Sequence, residues 1–202
     1  MITIIKTEIS NSYSVQKSLT RIGYKSLITN KKDDIKNATM IILPGVGSFD
    51  ALVRSLEDND LISILSERVK KDLLPTLGIC LGMHVMTKKS EEGSMKGLGF
   101  IDAEVKKFNS SQTLKVPHFG WNSVEAKNTL DLTKNCNNSF YFAHSYYVEC
   151  EKKENILLST TYGINFCSAF INNNIIGVQF HPEKSNKSGL KLLENIMRYF
   201  DV

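Results

Sequence analysis

A thiol, an imidazole and a carboxylate occur in this chain at positions that could support nucleophilic catalysis. Cys80 lies between two glycines in Leu77-Gly-Ile-Cys-Leu-Gly-Met83, a segment that predicts a sharp turn from a strand into a helix. A thiol at a helix N-terminus has a lowered pKa, and such a turn keeps the sulfur accessible. About a hundred residues later, an apolar strand ends at His181, and Glu183 follows. These residues predict a nucleophile, a general base and an acid that orients the base.

A second loop could complete the site. Pro44-Gly-Val-Gly47 closes another apolar run, and its glycines, Gly45 and Gly47, allow backbone amides to turn toward a ligand. In open parallel sheets, sites form beyond the carboxyl ends of the strands, which is where this loop, Cys80 and His181 would lie. We expect amides near Val46 and Gly47, with that of Leu81, to form an oxyanion hole. Each segment alone is typical of packing or a turn; their joint occurrence favours catalysis.

Two other chemistries are less consistent with the pattern. Cys80 and His84 stand four residues apart and could face one side of a helix, as metal ligands do, but a second pair at comparable spacing is missing. A serine hydrolase of the usual order would place the acid before the histidine, whereas Glu183 follows His181. We therefore expect neither a metal nor another cofactor.

The elements around these residues indicate an α/β fold. Apolar runs at Ile2–Ile5 and at Met40–Leu43 predict buried strands, and helical spacing follows each of them. The alternation implies a doubly wound, mostly parallel central sheet flanked by helices. From Gly99 onward we expect short strands, polar loops and hairpins at the sheet edge. A strand at Ile175–Phe180 and a helix at Gly189–Phe200 return to the core.

Composition narrows the class of protein. With 202 residues, 42% hydrophobic and 23% charged, the chain suits one globular domain spanning residues 1–202. The net charge of +4 is scattered in lysine pairs and forms no basic stripe, so we expect no nucleic-acid partner. No apolar run is long enough to span a membrane, and the N-terminus does not read as a signal peptide. A cytoplasmic location is the resulting expectation.

Six segments together resemble the class I glutamine amidotransferases and, within them, the glutaminase subunits of imidazole glycerol phosphate synthases. The resemblance covers essentially the whole chain. The segments are Pro44-Gly-Val-Gly-Ser-Phe49, Gly78-Ile-Cys-Leu-Gly-Met83, Ser90-Glu-Glu-Gly93, Pro117-His-Phe-Gly-Trp-Asn122, Tyr141-Phe-Ala-His-Ser-Tyr-Tyr147 and Gln179-Phe-His-Pro-Glu-Lys-Ser185. The fold that this resemblance implies is the doubly wound sheet with a smaller second β-sheet.

The resemblance also implies roles for individual residues. The family hydrolyses L-glutamine through a Cys-His-Glu triad and a thioester, and passes the ammonia to a β/α-barrel cyclase subunit with which it forms a heterodimer. Glu92 would bind the α-ammonium group of glutamine, and Ser145 and Tyr146 its α-carboxylate. Gly45 and His84 would complete the substrate site. The residues implied at the partner interface or ammonia passage are Asn11, Pro117, His118, Trp121 and Lys184.

Two departures keep other functions open. The family opens with an Asp-Tyr-Gly-x-Gly-Asn segment, whereas this chain reads Lys6-Thr-Glu-Ile-Ser-Asn11, and position 84 is histidine where the family has glutamine. A paralogous subunit that supplies ammonia for nucleotide-sugar or surface-glycan synthesis is one alternative. A stand-alone γ-glutamyl hydrolase and a non-catalytic binding module with the same fold are two others.

Overall fold

The structure is a computed structural model that describes residues 1–110, 114–127, 130, 132–136 and 138–202. Parts of the polar loops expected in the second half of the chain lie outside these residues, at 111–112, 128–129 and 137.

Five parallel strands form one half of a large sheet. They are β1 (Ile2–Ile5), β2 (Ser26–Thr29), β3 (Met40–Gly45), β4 (Thr76–Cys80) and, from late in the chain, β13 (Ile175–Val178). Their order is β2-β1-β3-β4-β13, so β4 lies between β3 and β13. Strands β1, β3, β4 and β13 are buried along their whole length, because helices cover both faces of the sheet.

Six helices among the described residues supply that cover. They are α1 (Ser12–Arg21), α2 (Lys32–Lys36), α3 (Phe49–Asp58), α4 (Ile62–Ser66, continued by a π-helical turn at Glu67–Lys71), α5 (Leu81–Val85) and α6 (Asn186–Tyr199). Apolar side chains of α1 and α6, such as Leu19 and Leu193, pack on one face of the sheet. Those of α3 and α4, such as Leu52 and Leu65, pack on the other. The predicted doubly wound arrangement is confirmed.

The second half of the chain extends the sheet with short strands. They are β5 (Lys89–Ser90), β6 (Ala103–Lys107), β7 (His118–Ser123), β8 (Glu125–Ala126), β9 (Ser139–His144), β10 (Tyr146–Cys150), β11 (Ile156–Tyr162) and β12 (Ile164–Asn172). Strand β12 runs antiparallel to β13, and β10, β6 and β5 follow; β11 pairs with β12 and β8. The hairpins expected at the sheet edge account for part of this region only. Strands β7 and β9 leave the main sheet and form the smaller second sheet that the family resemblance implied.

Two boundaries near the site differ from expectation. Strand β13 ends at Val178 rather than Phe180, and α6 begins at Asn186 rather than Gly189. The start of α6 packs tightly against the preceding turn, since a Cβ at Gly189 would lie 1.8 Å from the carbonyl oxygen of Pro182. Within the described ranges, no helix has both the length and the apolar character needed to cross a membrane.

Candidate active site

Cys80 lies at the junction of β4 and α5 in a backbone conformation that residues with a Cβ rarely adopt. Its φ is 54° and its ψ is −112°, and such a conformation costs on the order of 1–3 kcal/mol. The packing beneath the turn is close, because a Cβ at Gly82 would lie 1.7 Å from the carbonyl oxygen of Leu43. The chain therefore makes the sharp turn that the sequence predicted, with the thiol at the carboxyl end of β4.

His181 and Glu183 form a buried pair just after β13. Nδ1 of His181 lies 2.9 Å from Oε1 of Glu183. Nδ1 is the donor, because the carboxylate can only accept. The turn is held by Ser185, whose hydroxyl donates to the carbonyl oxygen of His181 at 2.6 Å and accepts from the amide of Tyr141 at 3.0 Å. With Nδ1 occupied, Nε2 is the ring nitrogen left to interact with the Cys80 thiol.

Opposing influences act on the pKa of His181. Burial lowers this pKa, whereas the charge and hydrogen bonds of Cys80 and Glu183 raise it, and the result is a pKa of about 10. The imidazole is therefore protonated at neutral pH, and an imidazolium beside a thiol favours the thiolate form. Such a pair supplies both a nucleophile and a proton for the leaving group.

A cavity of about 340 Å³ gathers most of the predicted site residues in its wall. The predicted residues that line it are Val46, Gly47, Cys80, Leu81, His84, Glu92, Pro117, Ser145, Tyr146, His181 and Lys184. Glu183 lies behind His181. Gly45 is not part of the wall, because it packs beneath the loop, where a Cβ would lie 2.6 Å from Cδ2 of Leu52.

Glu92 presents a partly buried carboxylate to this cavity. Its Oε2 accepts a hydrogen bond from the amide of Phe49 at 3.0 Å, at the start of α3. Burial nevertheless raises the pKa of Glu92. The next residue along α3, Asp50, accepts from the amides of Ser94 and Met95 at 3.1 and 3.0 Å and so ties down the loop that carries Glu92. A fixed, incompletely solvated carboxylate of this kind suits a bound ammonium group.

One of the predicted oxyanion donors already has a partner. The amide of Val46 donates to the carbonyl oxygen of Ile9 at 2.9 Å. Ile9 belongs to the Lys6–Asn11 segment, where the sequence departs from the family pattern. The amide of Val46 must leave this bond before it can stabilise an oxyanion.

Comparison with known proteins gives the family. Residues 3–199 match the model of the family described as glutamine amidotransferase class-I. The chain belongs to the class-I glutamine amidotransferase family. The resemblance seen in the sequence is thereby confirmed, and so is the expectation that the chain is a glutamine amidotransferase.

Several curated relatives of this amidotransferase share its full length. An imidazole glycerol phosphate synthase subunit HisH 2 of Methanococcus maripaludis is 50% identical, covering 98% of this chain and 99% of the relative. The subunit HisH of Leptospira interrogans is 40% identical, covering 96% and 98%. A crystal structure of glutamine amidotransferase superposes with a TM-score of 0.77 at 15% identity, covering 100% and 99%. The structure of PurLQS from Thermotoga maritima superposes with a TM-score of 0.76 at 17% sequence identity, covering 98% of this chain and 97% of that chain. The two structures support the fold.

His84 of this amidotransferase lies in the cavity wall but is bound to another side chain. Its Nε2 lies 2.7 Å from Oε1 of Gln179, and Nε2 of Gln179 lies 4.0 Å from Sγ of Cys80. Sequence reasoning did not assign Gln179 a role; its position two residues before His181, on the same side of an extended segment, was the available signal. Among the described residues, no group of three or more potential ligands is arranged to hold a metal ion.

A chain of hydrogen bonds crosses the small sheet. Nδ1 of His144 donates to the carbonyl oxygen of Tyr146 at 2.7 Å. Nε2 of His144 therefore accepts from Nδ1 of His118 at 2.9 Å, and Nε2 of His118 accepts from the Asn122 amide at 3.2 Å. Burial lowers the pKa of His118 to about 4 and that of His144 well below its usual value, so both rings are neutral. These hydrogen bonds hold the carbonyl of Tyr146 in place, and Tyr146 is one of the residues predicted to bind the substrate. No role was assigned to His144 from the sequence.

The predicted partner-facing residues divide between surface and interior. His118 is buried and stacks on the rings of Phe142 and Tyr162. The alternation of β7 instead exposes Phe119, by 69%, and Trp121, by 51%. Phe119 was missed by sequence reasoning, although the period of two along a strand points to it once His118 is inside.

The remaining partner-facing residues lie nearer the cavity and the chain start. Pro117 and Lys184 stand in the cavity wall. The ammonium group of Lys184 lies 5.9 Å from the centre of the Tyr141 ring. Asn11 immediately precedes α1 and is partly buried.

Proposed function

We propose that this chain is the glutaminase subunit of an imidazole glycerol phosphate synthase, and that it hydrolyses L-glutamine and passes ammonia to a β/α-barrel cyclase in histidine biosynthesis. The single observation that carries the glutaminase activity is the contact of His181 with both Cys80 and Glu183 in the wall of one cavity. The names of the full-length relatives support the pathway.

Glutamine would be held at its two backbone groups. The Glu92 carboxylate pairs with the α-ammonium group. Burial disfavours the charged form of Glu92, and the positive charge of the ammonium group stabilises that form again. Ser145 and Tyr146 bind the α-carboxylate, and the hydrogen bond from His144 to the carbonyl of Tyr146 keeps this segment in place. The side-chain amide of glutamine then reaches Cys80.

Formation of the thioester releases ammonia. The Cys80 thiolate attacks the carboxamide carbon, and the resulting oxyanion is stabilised by the amide of Leu81 together with amides of the Val46–Gly47 loop. His181, held by Glu183, gives its Nε2 proton to the departing nitrogen as the C–N bond breaks. The products of this step are ammonia and a γ-glutamyl thioester on Cys80.

Hydrolysis of the thioester restores the enzyme. His181, now neutral, takes a proton from a water molecule, and the hydroxide attacks the thioester carbon. The C–S bond breaks, glutamate leaves, and the thiolate again faces a protonated imidazole. Since these residues carry each proton and electron pair, the proposal assigns no cofactor.

The partner would dock around the cavity mouth. Phe119 and Trp121 expose large aromatic surfaces on β7, which is typical of residues that dominate protein interfaces. Pro117 and Lys184 stand beside them in the cavity wall, and Asn11 belongs to the same predicted interface. We propose that ammonia leaves the cavity toward this surface. The whole chain, 1–202, acts as one domain in this proposal, and the cytoplasm remains its predicted location.

Reconstitution tests the proposal. The chain is purified and mixed with the barrel cyclase subunit encoded in the same genome, and glutamine-dependent formation of imidazole glycerol phosphate is measured. We expect synthesis with glutamine, and only ammonia-dependent synthesis when Cys80→Ala replaces the wild-type chain. Ammonia release from glutamine that survives Cys80→Ala would contradict the proposed nucleophile.

The same experiment separates the alternatives. Glutaminase activity that is stimulated by an unrelated sugar-modifying synthase, and not by the cyclase, would assign the chain to glycan synthesis. Equal hydrolysis of γ-glutamyl peptides with and without any partner would indicate a stand-alone hydrolase. Failure of Cys80 to react with a glutamine-like chloroketone would indicate a non-catalytic module.

A further inference from the structure

Gln179 contacts the nucleophile but has no part in the mechanism described above. Its side chain is fully buried, and its backbone amide donates to the carbonyl oxygen of Ser168 at 2.9 Å, which anchors it beside β12. The side-chain amide bridges two groups: Oε1 lies 2.7 Å from Nε2 of His84, and Nε2 lies 4.0 Å from Sγ of Cys80. The Gln179 amide is therefore placed to act on the thiol of Cys80 and the ring of His84 at the same time.

The chemistry of the three groups fixes the direction of both hydrogen bonds. A thiolate only accepts, so the amide nitrogen of Gln179 must face Cys80, because the carbonyl oxygen would repel the sulfur. The carbonyl oxygen therefore faces His84, whose Nε2 must carry the proton. His84 is almost fully buried, and its Nδ1 has no hydrogen-bond partner among the described residues. Burial lowers the pKa of His84 to about 4, so the ring is neutral with a single N–H to donate.

We propose that Gln179 is a hydrogen-bond donor to the Cys80 thiolate, and that His84 is the positioning residue that holds the Gln179 amide in the donating orientation. The thiolate then has two donors, the His181 imidazolium and the Gln179 amide. This inference rests on the nucleophilic role of Cys80 proposed above. It gives position 84 a function in which the ring acts through Gln179 rather than on glutamine.

Alkylation of Cys80 tests the contact without a partner subunit. The full chain is treated with iodoacetamide at pH 7, and the rate at Cys80 is followed by peptide mass mapping. Gln179→Glu keeps the shape but presents an acceptor to the sulfur, and His84→Leu removes the donor that orients the amide. We expect both variants to alkylate about tenfold or more slowly, the effect of one lost hydrogen bond to a charged group.

A matched variant distinguishes positioning from packing. His84→Gln keeps an N–H donor at position 84, so we expect its rate to stay within about threefold of the wild type. Thermal unfolding of each variant serves as the control for folding. Equal rates for His84→Gln and His84→Leu would overturn the proposal, even if Gln179→Glu fails to fold. Because no partner or glutamine is present, this result is independent of whether the reconstitution succeeds.

Discussion

The backbone amide of Val46 donates a hydrogen bond to the carbonyl oxygen of Ile9 at 2.9 Å. This bond joins the loop after β3 to the segment between β1 and α1, and it occupies an amide that the proposed mechanism assigns to the oxyanion hole. The neighbouring Gly47 has a φ of 96°, a conformation that glycine adopts without strain. A change of peptide orientation in this loop would break the bond to Ile9.

Low activity of the isolated chain is the first prediction. An oxyanion hole that lacks one donor loses about 3 kcal/mol of transition-state stabilisation, or roughly a hundredfold in rate. We expect the chain alone to hydrolyse glutamine at least that much more slowly than the chain with its synthase partner. The measurement is glutamate release with and without the partner, with Cys80→Ala as the blank. Equal rates would show that the Ile9 bond does not limit the site.

Glu183→Gln is expected to impair acid–base catalysis by His181 while leaving the fold intact. The change removes the charge that helps to raise the pKa of His181, so this pKa should fall from about 10. The amide can also present an N–H to Nδ1 and so impose the wrong tautomer. We expect kcat to fall by about a hundredfold or more, by analogy with other base-orienting acids. Glu57→Gln, an exposed carboxylate on α3, is the matched control, and circular dichroism checks both variants.

Asp50→Ala should weaken glutamine binding, although Asp50 is not one of the proposed substrate contacts. The carboxylate of Asp50 accepts from the amides of Ser94 and Met95, and these hydrogen bonds lower its pKa. Without them the loop that carries Glu92 is free to move. We expect KM for glutamine to rise about tenfold, the loss of one or two hydrogen bonds, with a smaller change in kcat. The control is Asp58→Ala, an exposed aspartate on the same helix, and an unchanged KM in Asp50→Ala would exclude this role.

The features that the sequence predicted are those written in local patterns. The apolar runs at β1 and β3 and the helical spacing of α3 are set by neighbours within a few residues. The turn at Cys80 needs its two flanking glycines, which are visible in the sequence. Because the carboxyl ends of parallel strands share one edge of the sheet, the predicted strands were enough to place Cys80 and His181 on the same edge. That β4 and β13 are direct neighbours is seen only in the structure.

The features that the sequence did not predict depend on contacts between distant segments. Gln179 meets His84 across 95 positions of sequence, and either residue alone reads as an ordinary buried polar group. The bond from Val46 to Ile9 joins two backbones, which no side-chain pattern encodes. The separation of β7 and β9 into a second sheet likewise follows from tertiary packing, and only the family resemblance anticipated it.

His84→Gln should change how glutamine is bound while retaining turnover. The wild-type ring commits its N–H to Gln179, so it offers the cavity no further donor. A glutamine side chain has two N–H groups and a carbonyl oxygen, so it could serve both Gln179 and the substrate. We expect KM for glutamine to decrease about threefold or more, the worth of roughly one added hydrogen bond, with kcat little changed. An unchanged KM would remove position 84 from the substrate site.

Buried neutral histidines should make the fold sensitive to acid. Burial lowers the pKa of His84 to about 4, although the bond to Gln179 opposes this. His118 and His144 shift in the same direction. An unfolded imidazole titrates near pH 6.5. Between about pH 6.5 and pH 4, the unfolded chain therefore binds protons that the folded chain does not, and the free energy of unfolding falls as the pH falls.

Urea unfolding at pH 7 and pH 5 measures this effect. His84 alone should account for a loss of about 2 kcal/mol between these values, and His84→Gln should reduce the loss by that amount. His181 acts in the opposite direction: with a pKa of about 10 it is protonated in the folded chain at both pH values, whereas the unfolded imidazole takes up most of its proton between pH 7 and pH 5. This group therefore offsets part of the loss, and it does so equally in wild type and His84→Gln. Its stabilising effect is complete below pH 6.5 and disappears as the pH rises through about 10. If wild type and His84→Gln lost equal unfolding free energy between pH 7 and pH 5, His84 would be protonated at pH 5 in the folded protein. That result would contradict a neutral His84 ring that donates to Gln179.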